Sequence, residues 1–345
     1  QFFTINSQIT MTGPASKVAG LLWLLACFTI FVSLVLYLLE RPWWWLIASV
    51  SILISQILII LYWHDTKYAT LINLVILIAA LLTYHNQQFA NLVRRDVQHL
   101  LTAQVEQADT VVTQQSLDDV PPIVQKWLVK CNVVGGEKIH TVRLKQIGRI
   151  RSKPDGRWMA MSAEQFITAD KPGFIWSAVI DAGYLIKLNG RDKYMGGKGN
   201  MLIKALGLVP IADSSGNEID QSAMMRYLAE IIWLPTAALN NYIQWEYVNE
   251  TTARATMNYA NENVTGLFFF DRDGDIRGFE GKRYGNFEGH FSLETWSIRI
   301  VEYKVFTTLR IGNKCEVTWK LKQGDFTWLQ LEVTDIHYNN TISNN

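Results

Sequence analysis

From Val18 to Leu39 the chain runs 22 residues without a charged side chain, and from Trp43 to Trp63 it does so again for 21 residues. No other feature limits the fold so strongly. A helix rises 1.5 Å per residue, so about 20 apolar residues cross the ~30 Å hydrocarbon core of a bilayer. A third run starts at Tyr68, is strongly apolar over 69–82, and spans if it extends to about residue 90. The connections are tight: Glu40-Arg41-Pro42, then His64-Asp65-Thr66-Lys67. Trp43, Trp44, Trp45, Tyr62, Trp63 and Tyr68 mark the run ends, where amphipathic rings anchor at headgroup level. The runs are long and repeated and have no small-residue cleavage site, which argues against a cleavable signal peptide. Ser55, Gln56 and Asn73 are polar groups inside the runs, and interhelical hydrogen bonding is their ordinary role. No Asp, Glu, Lys or Arg lies inside a run, which speaks against a transporter or proton path.

Charge divides the chain at about the same place. Residues 1–93 carry five charged side chains, Lys17, Glu40, Arg41, Asp65 and Lys67; residues 94–345 carry the other 58, 29 basic and 29 acidic. The sequence therefore predicts transmembrane helices over 1–93 (about 18–39, 43–63 and 68–90), a linker over 94–120, a soluble domain over 121–340 and a tail over 341–345. This division excludes a freely soluble enzyme and a disordered chain. The even charge balance excludes nucleic acid as a partner, because phosphate contacts need a basic excess. Lys17 and Lys67 share one side of the membrane and Arg41, Arg94 and Arg95 the other, nearly a tie for the positive-inside rule. Gln1-Phe2-Phe3 reads as the remnant of an earlier apolar segment, and one more span would reverse the side of the N-terminus.

Past the linker, Pro122 at a first-turn position opens a short amphipathic helix over 123–129, and Gly135-Gly136 ends it. The period then changes to two. Residues 139–151 alternate apolar and polar, and Pro154-Asp155-Gly156 turns them into 157–168. Further strands are expected at 174–181, 184–189, 242–249, 252–259, 264–270, 276–284, 287–293, 297–305, 314–321 and 328–338. Two segments, 200–211 and 219–233, read as helices; in the second, Ile219, Ala223, Met224, Tyr227, Leu228, Ile231 and Ile232 form one apolar face. The expected fold is α+β: a strongly curved antiparallel sheet, an open half-barrel, with helices packed on its concave face.

Chemistry-bearing clusters are few. Asp213, Glu218 and Asp220 place three carboxylates within eight residues, enough for a cation or for split acid and base roles. The same stretch contains Ser215-Gly-Asn-Glu218, a capping box ahead of an apolar helix, with acidic residues where the helix dipole favours them. Asp271-Arg-Asp273-Gly274-Asp275 departs from the calcium-loop spacing and reads as a hairpin turn. Gly196-Gly-Lys-Gly199 lacks a phosphate-loop pattern and reads as a loop. His140, His290 and His337 are scattered without ligand spacing, and Cys131 and Cys315 leave one disulfide open. No cofactor or metal site follows from these patterns. Trp158, Trp176, Trp233, Trp245, Trp296, Trp319 and Trp328 furnish surface for an apolar cavity or a core.

GLLWLLA (20–26), SQILIILYWHDTKYATLINLVILI (55–78), VVGGEKIHTVRLKQIGRIR (133–151), the block 202–237 and the C-terminal KCEVTWKLKQGDFTWLQLEVTDIHYN resemble a family of uncharacterised bacterial multi-pass membrane proteins. The soluble part, through its final strand-turn-strand ending in Asp335-Ile-His-Tyr-Asn, is also similar to the lipoprotein-carrier fold, an open β-barrel that holds acyl chains. The first resemblance implies a bacterial inner membrane and, in many members, one more N-terminal span. The second implies an extracytoplasmic domain. Together these observations lead to a membrane-anchored module that binds a lipid, a lipidated protein or another hydrophobic ligand at the bilayer surface. Met224, Tyr227, Leu228, Ile231 and Trp233 are expected to line its pocket. The competing expectation is a membrane-bound hydrolase or transferase using Asp213, Glu218 and Asp220.

Overall fold

The short polar connections between the apolar runs set where the long helices stop and start. A computed structural model describes residues 16–104, 110–184, 186–287 and 289–339. Gln1-Phe2-Phe3, the middle of the expected linker and the tail 341–345 lie outside the described residues. The chain divides into two compact units, Gln1–Ala90 and Asn91–Asn345.

In the first unit Ser16 caps helix α1 (Lys17–Leu38), its Oγ accepting from Ala19 N at 3.1 Å. Pro42 separates α1 from α2 (Trp44–Leu61), which is followed by the one-turn α3 (Trp63–Thr66) and by α4 (Ala69–Thr102). Three of these helices, α1, α2 and α4, are long and apolar enough to cross a membrane. Their interior polar residues satisfy one another: Asn73 Nδ2 donates to Ser55 Oγ (3.1 Å) and Gln56 Oε1 (3.0 Å), and Gln56 Nε2 donates to Thr70 Oγ1 (3.3 Å). Amides that pair across helices bind the hairpin together.

In the second unit the last turns of α4 lead to α5 (Pro122–Lys130) and then to the strands. Among the described residues these are β1 (Thr141–Ile150), β2 (Met159–Thr168), β3 (Gly173–Gly183), β4 (Ile186–Met195), β5 (Lys198–Ala205) and β6 (Val209–Ser214). Helix α6 (Asn217–Glu230) follows, and then β7 (Ile243–Asn249), β8 (Thr252–Tyr259), β9 (Glu262–Phe270), β10 (Ile276–Phe287), β11 (His290–Phe306), β12 (Leu309–Leu321) and β13 (Gly324–Tyr338). All pair antiparallel in one sheet, ordered β6-β5-β4-β3-β2-β1-β13-β12-β11-β10-β9-β8-β7.

That order explains where the helix goes. Two meanders join at the β1–β13 pair, so β6 and β7 are the two outer edges, and the chain between them must travel from one edge to the other. It does so through α6, which packs on β4 and β5 on one flank and on β9 and β10 on the other. A helix reaches both flanks only if the sheet curls around it. Bulges at Lys145/Gln146, Ile300/Glu302 and Val317/Thr318 increase the local twist. Gly197 in the β4–β5 turn lies directly against Ala260 in the β8–β9 turn. Gly281 of β10 lets the helix approach, since a Cβ there would stand 2.5 Å from the Met225 sulfur. The fold is the α+β curved antiparallel half-barrel expected from the strand periodicity.

Three expectations from the sequence are corrected. Residues 200–211 are most of β5 and the first half of β6, not a helix: the chain reverses at Leu206-Gly207, both at positive φ, and the ladder with β4 overrides a helical spacing. Pro210 is tolerated because β6 is an edge. Residues 287–293 and 297–305 belong largely to one strand, β11, because its partners β10 and β12 continue alongside it. The capping box at Ser215 does not form. The N-cap is Gly216 at φ +113°, with no side-chain capping bond, one residue later than the sequence pattern implies.

Part of the convex face is covered by α4. Ile175 points outward from β3 yet is fully buried, because Val97 and Leu100 of α4 pack on it. Asp96, beside them, meets Lys193 Nζ at 3.2 Å and Arg191 Nε at 3.5 Å. At the β9–β10 turn, Asp271 Oδ1 accepts from the backbone N–H of Asp273 (3.0 Å) and Asp275 (2.9 Å), so the acidic run is a hairpin turn. Asp275 pairs with Arg310 and, at 3.0 Å, with Lys130, which ties α5 to the sheet. Cys131 and Cys315 are both free and buried thiols, and burial pushes Cys131 up to about 12.

Candidate functional site

A curled sheet has more concave surface than one helix can cover. Beside α6 the uncovered part forms a cavity of about 430 Å³, within the ~300–1,000 Å³ of small-molecule sites. One stripe of α6 faces it, Ile219, Ser222, Ala223, Arg226 and Glu230, at the three- and four-residue spacing of a helix face. Trp176, Leu188 and Ile203 form the wall from one flank of the sheet; Trp296, Val317 and Trp319 form it from the other. The exposed residues Ser152 after β1 and Asn286 in β10, with Phe291 of β11, mark the rim.

The sequence placed the pocket on the opposite stripe of the helix. Met224, Tyr227, Leu228 and Ile231 are at most 1% exposed and belong to the continuous core, and none of the four lines the cavity. Tyr227 is locked there, its hydroxyl donating to Thr168 O at 2.8 Å and meeting the Tyr242 hydroxyl at 3.0 Å. Trp233, in the 3₁₀ turn after α6, does reach the cavity wall, held by its Nε1 donating to Gly312 O at 2.9 Å. The physical reason is that α6 is buried on both sides. The more apolar stripe seals the core, and the stripe with Arg226 and Glu230 faces the cavity, together with Ile219 and Ala223 from the edge of the apolar face.

Those charges are paired with care. Arg226 donates through Nη1 to Asp192 Oδ2 (2.8 Å) and through Nε to Glu230 Oε1 (2.7 Å), and its guanidinium lies over Phe174 and Trp176. Gln165 Nε2 completes Glu230 at 2.6 Å. Burial opposes the Arg226 charge, but Glu230 and Asp192 outweigh it and hold its pKa above the ordinary value. Arg283 of β10 stands on the other wall, over Trp296 (4.7 Å to the ring centre) and Trp319 (5.8 Å), with Nε donating to Ser222 O at 3.1 Å. Burial, and then the nearby Arg226 charge, push Arg283 down to about 10. Trp176 is fixed by Nε1 donating to Gln146 Oε1 at 2.9 Å.

Sequence reasoning missed Arg226, Glu230, Asp192 and Arg283. The available signals were an Arg-Glu pair four residues apart in a helix that crosses a sheet, and a charged residue on the inward phase of β10 with Phe279, Gly281 and Gly285. The acidic trio is put to separate uses. Asp220 is buried and accepts from Lys198 Nζ and from Gly199 N, both at 2.7 Å, fastening the β4–β5 turn to the start of α6. Asp213 accepts from Asn200 Nδ2 at 3.0 Å, and Glu218 is exposed in the first turn. His140 pairs with Asp170 (2.7 Å) and His337 with Asp335 (3.1 Å), both away from the cavity wall.

A family model described as "Family of unknown function (DUF6544)" matches residues 110–331. The comparison with curated proteins gives no match. Among solved structures the chain is similar to a DUF1329 family protein from Desulfovibrio piger, at 9% identity and a TM-score of 0.37, over 66% of this chain and 95% of that one. It is also similar to a LolA superfamily protein from Nitrosomonas europaea, at 9% identity and a TM-score of 0.36, over 67% of this chain and 95% of that one. Likenesses this remote carry no information about what the cavity holds.

Proposed function

The chain belongs to DUF6544, a family of unknown function, and we propose that it is a membrane-anchored binding module whose half-barrel accepts a lipid or another hydrophobic ligand at the bilayer surface. The observation that carries this reading is the cavity itself: about 430 Å³ walled by Trp, Phe, Leu and Ile side chains and reached past a partly exposed rim. Apolar walls of this kind gain free energy when hydrocarbon replaces water, at roughly 25 cal/mol per Å² covered. Helices α1, α2 and α4, long and apolar enough to cross a membrane, support the anchoring half of the proposal, a multi-pass protein of a bacterial inner membrane. Asp220 and Asp213 serve separate structural contacts and Glu218 is exposed, so among the described residues the acid-base alternative has no assembled site behind it.

The test is native mass spectrometry of the full chain extracted from membranes, beside an Ile203→Trp variant that fills the cavity. A co-purifying lipid-sized mass in the parent and its loss from a folded variant are expected; a parent without adduct after several extraction conditions overturns the reading. The anchoring half is tested by Arg41→Cys and Thr66→Cys, which should label from opposite sides of the membrane. Labelling from the same side rejects the three-span arrangement.

A further inference from the structure

We propose that the ligand is an amphipathic anion, an acyl chain ending in a carboxylate or phosphate, with its head group bound by Arg283. This inference rests on the hydrophobic-ligand reading above and adds the chemistry of the head group. The two arginines of the cavity are treated differently by the protein. Both carboxylates among the described residues of the cavity wall, Asp192 and Glu230, accept hydrogen bonds from Arg226. Among the described residues no carboxylate pairs with Arg283; its contacts are the Ser222 carbonyl at Nε and the faces of Trp296 and Trp319.

A charge removed from water is strongly disfavoured unless it is paired. Burial and the neighbouring Arg226 lower the Arg283 pKa to about 10 against the opposing pull of Asp192 and Glu230, which act on it without bonding to it, and the guanidinium stays cationic at neutral pH. The fold thus holds a permanent cation against apolar rings in the wall of an otherwise hydrophobic cavity. With Nε occupied, the Nη atoms remain as a fork, a shape that matches a carboxylate or phosphate through two parallel hydrogen bonds. Arg283 also stands three residues before the exposed Asn286 at the rim, about 10 Å along the strand at ~3.3 Å per residue. A head group at Arg283 stays near water while its chain runs along Trp296, Val317 and Ile203. A neutral lipid would fill the same space and leave the cation unpaired.

The experiment uses the full chain in lipid nanodiscs at mildly alkaline pH, where fatty acids are ionised. Four photoactivatable probes are compared: palmitate, its methyl ester, a lysophosphatidate and the matching monoacylglycerol. Adducts on cavity-wall peptides are quantified by mass spectrometry. At least one anionic probe should exceed its neutral counterpart by about tenfold, the equivalent of 1.4 kcal/mol. Palmitate over its ester identifies a carboxylate ligand; lysophosphatidate over monoacylglycerol identifies a phosphate ligand. Arg283→Gln should bring the ratio to about one, and Arg283→Lys should retain part of it. Equal labelling by charged and neutral probes, or an unchanged ratio in Arg283→Gln, overturns the anion assignment and leaves the hydrophobic-ligand reading standing. Absence of cavity adducts with all four probes overturns both. If Arg283→Gln fails to fold, the ratio in the parent and in Arg283→Lys decides.

Discussion

Truncating the two sides of α6 should separate core from cavity by energy alone. Leu228 is fully buried in the core, so Leu228→Ala removes three carbons from contact on every side. At ~0.8 kcal/mol per methylene the transfer loss is about 2.4 kcal/mol, and the enclosed void brings the total into the range of about 2–5 kcal/mol. Ile203 is only partly buried and already borders the cavity. Ile203→Ala encloses no new void, so only the covered fraction of its transfer term is lost, about 1 kcal/mol. The assay is urea unfolding of the full chain in detergent, followed by tryptophan fluorescence, with slopes compared to keep the two-state reading valid. Addition of a bound fatty acid at a hundred times its Kd should stabilise Leu228→Ala by the same ~2.7 kcal/mol as the parent. The cavity-filling Ile203→Trp should lose that increment. A Leu228→Ala loss under 1 kcal/mol, or an Ile203→Ala loss above 2 kcal/mol, would refute the assignment of the two faces.

The other expectations concern polar groups. Arg226→Met strands the Asp192 and Glu230 carboxylates and should cost about 3–5 kcal/mol, partly recovered by adding Glu230→Leu, as read by thermal unfolding. Ser215→Ala should leave stability within about 0.5 kcal/mol, because Gly216 rather than Ser215 occupies the N-cap; a loss of 1 kcal/mol would restore the capping box. Burial raises the pKa of the Tyr227 and Tyr242 phenols, Tyr242 to about 12. Phenols raised in this way retain protons that the unfolded chain releases near pH 10, so stability should fall as pH rises from there through the folded values, with phenolate absorbance appearing together with unfolding. Phenolate absorbance that rises to completion near pH 10 while the protein stays folded would contradict that burial.

The period-two alternation of 139–151 and its successors determined the sheet, because apolar inward residues such as Val142 and Leu144 of β1 gain by leaving water and the polar outward ones need not. The charge-free runs determined the long apolar helices for the same reason: helix length and side-chain transfer are local properties. The apolar stripe Met224-Tyr227-Leu228-Ile231 was legible as a buried face, and it is one. What local patterns do not contain is what lies on the far side of a helix. Only the pairing of β1 with β13, residues nearly two hundred positions apart, puts the β6 and β7 edges where α6 must bridge them and buries both of its faces. That placement makes Arg226 and Glu230 cavity residues. It brings Asp192 from β4 to meet them, and it sets Arg283 over two tryptophans from other strands. For the same reason 200–211 became strands: a ladder partner supplied at a distance outweighed the few tenths of a kcal/mol per residue of helix preference. Residue type and spacing settled which groups leave water; the long-range pairing of strands settled which of them share a cavity.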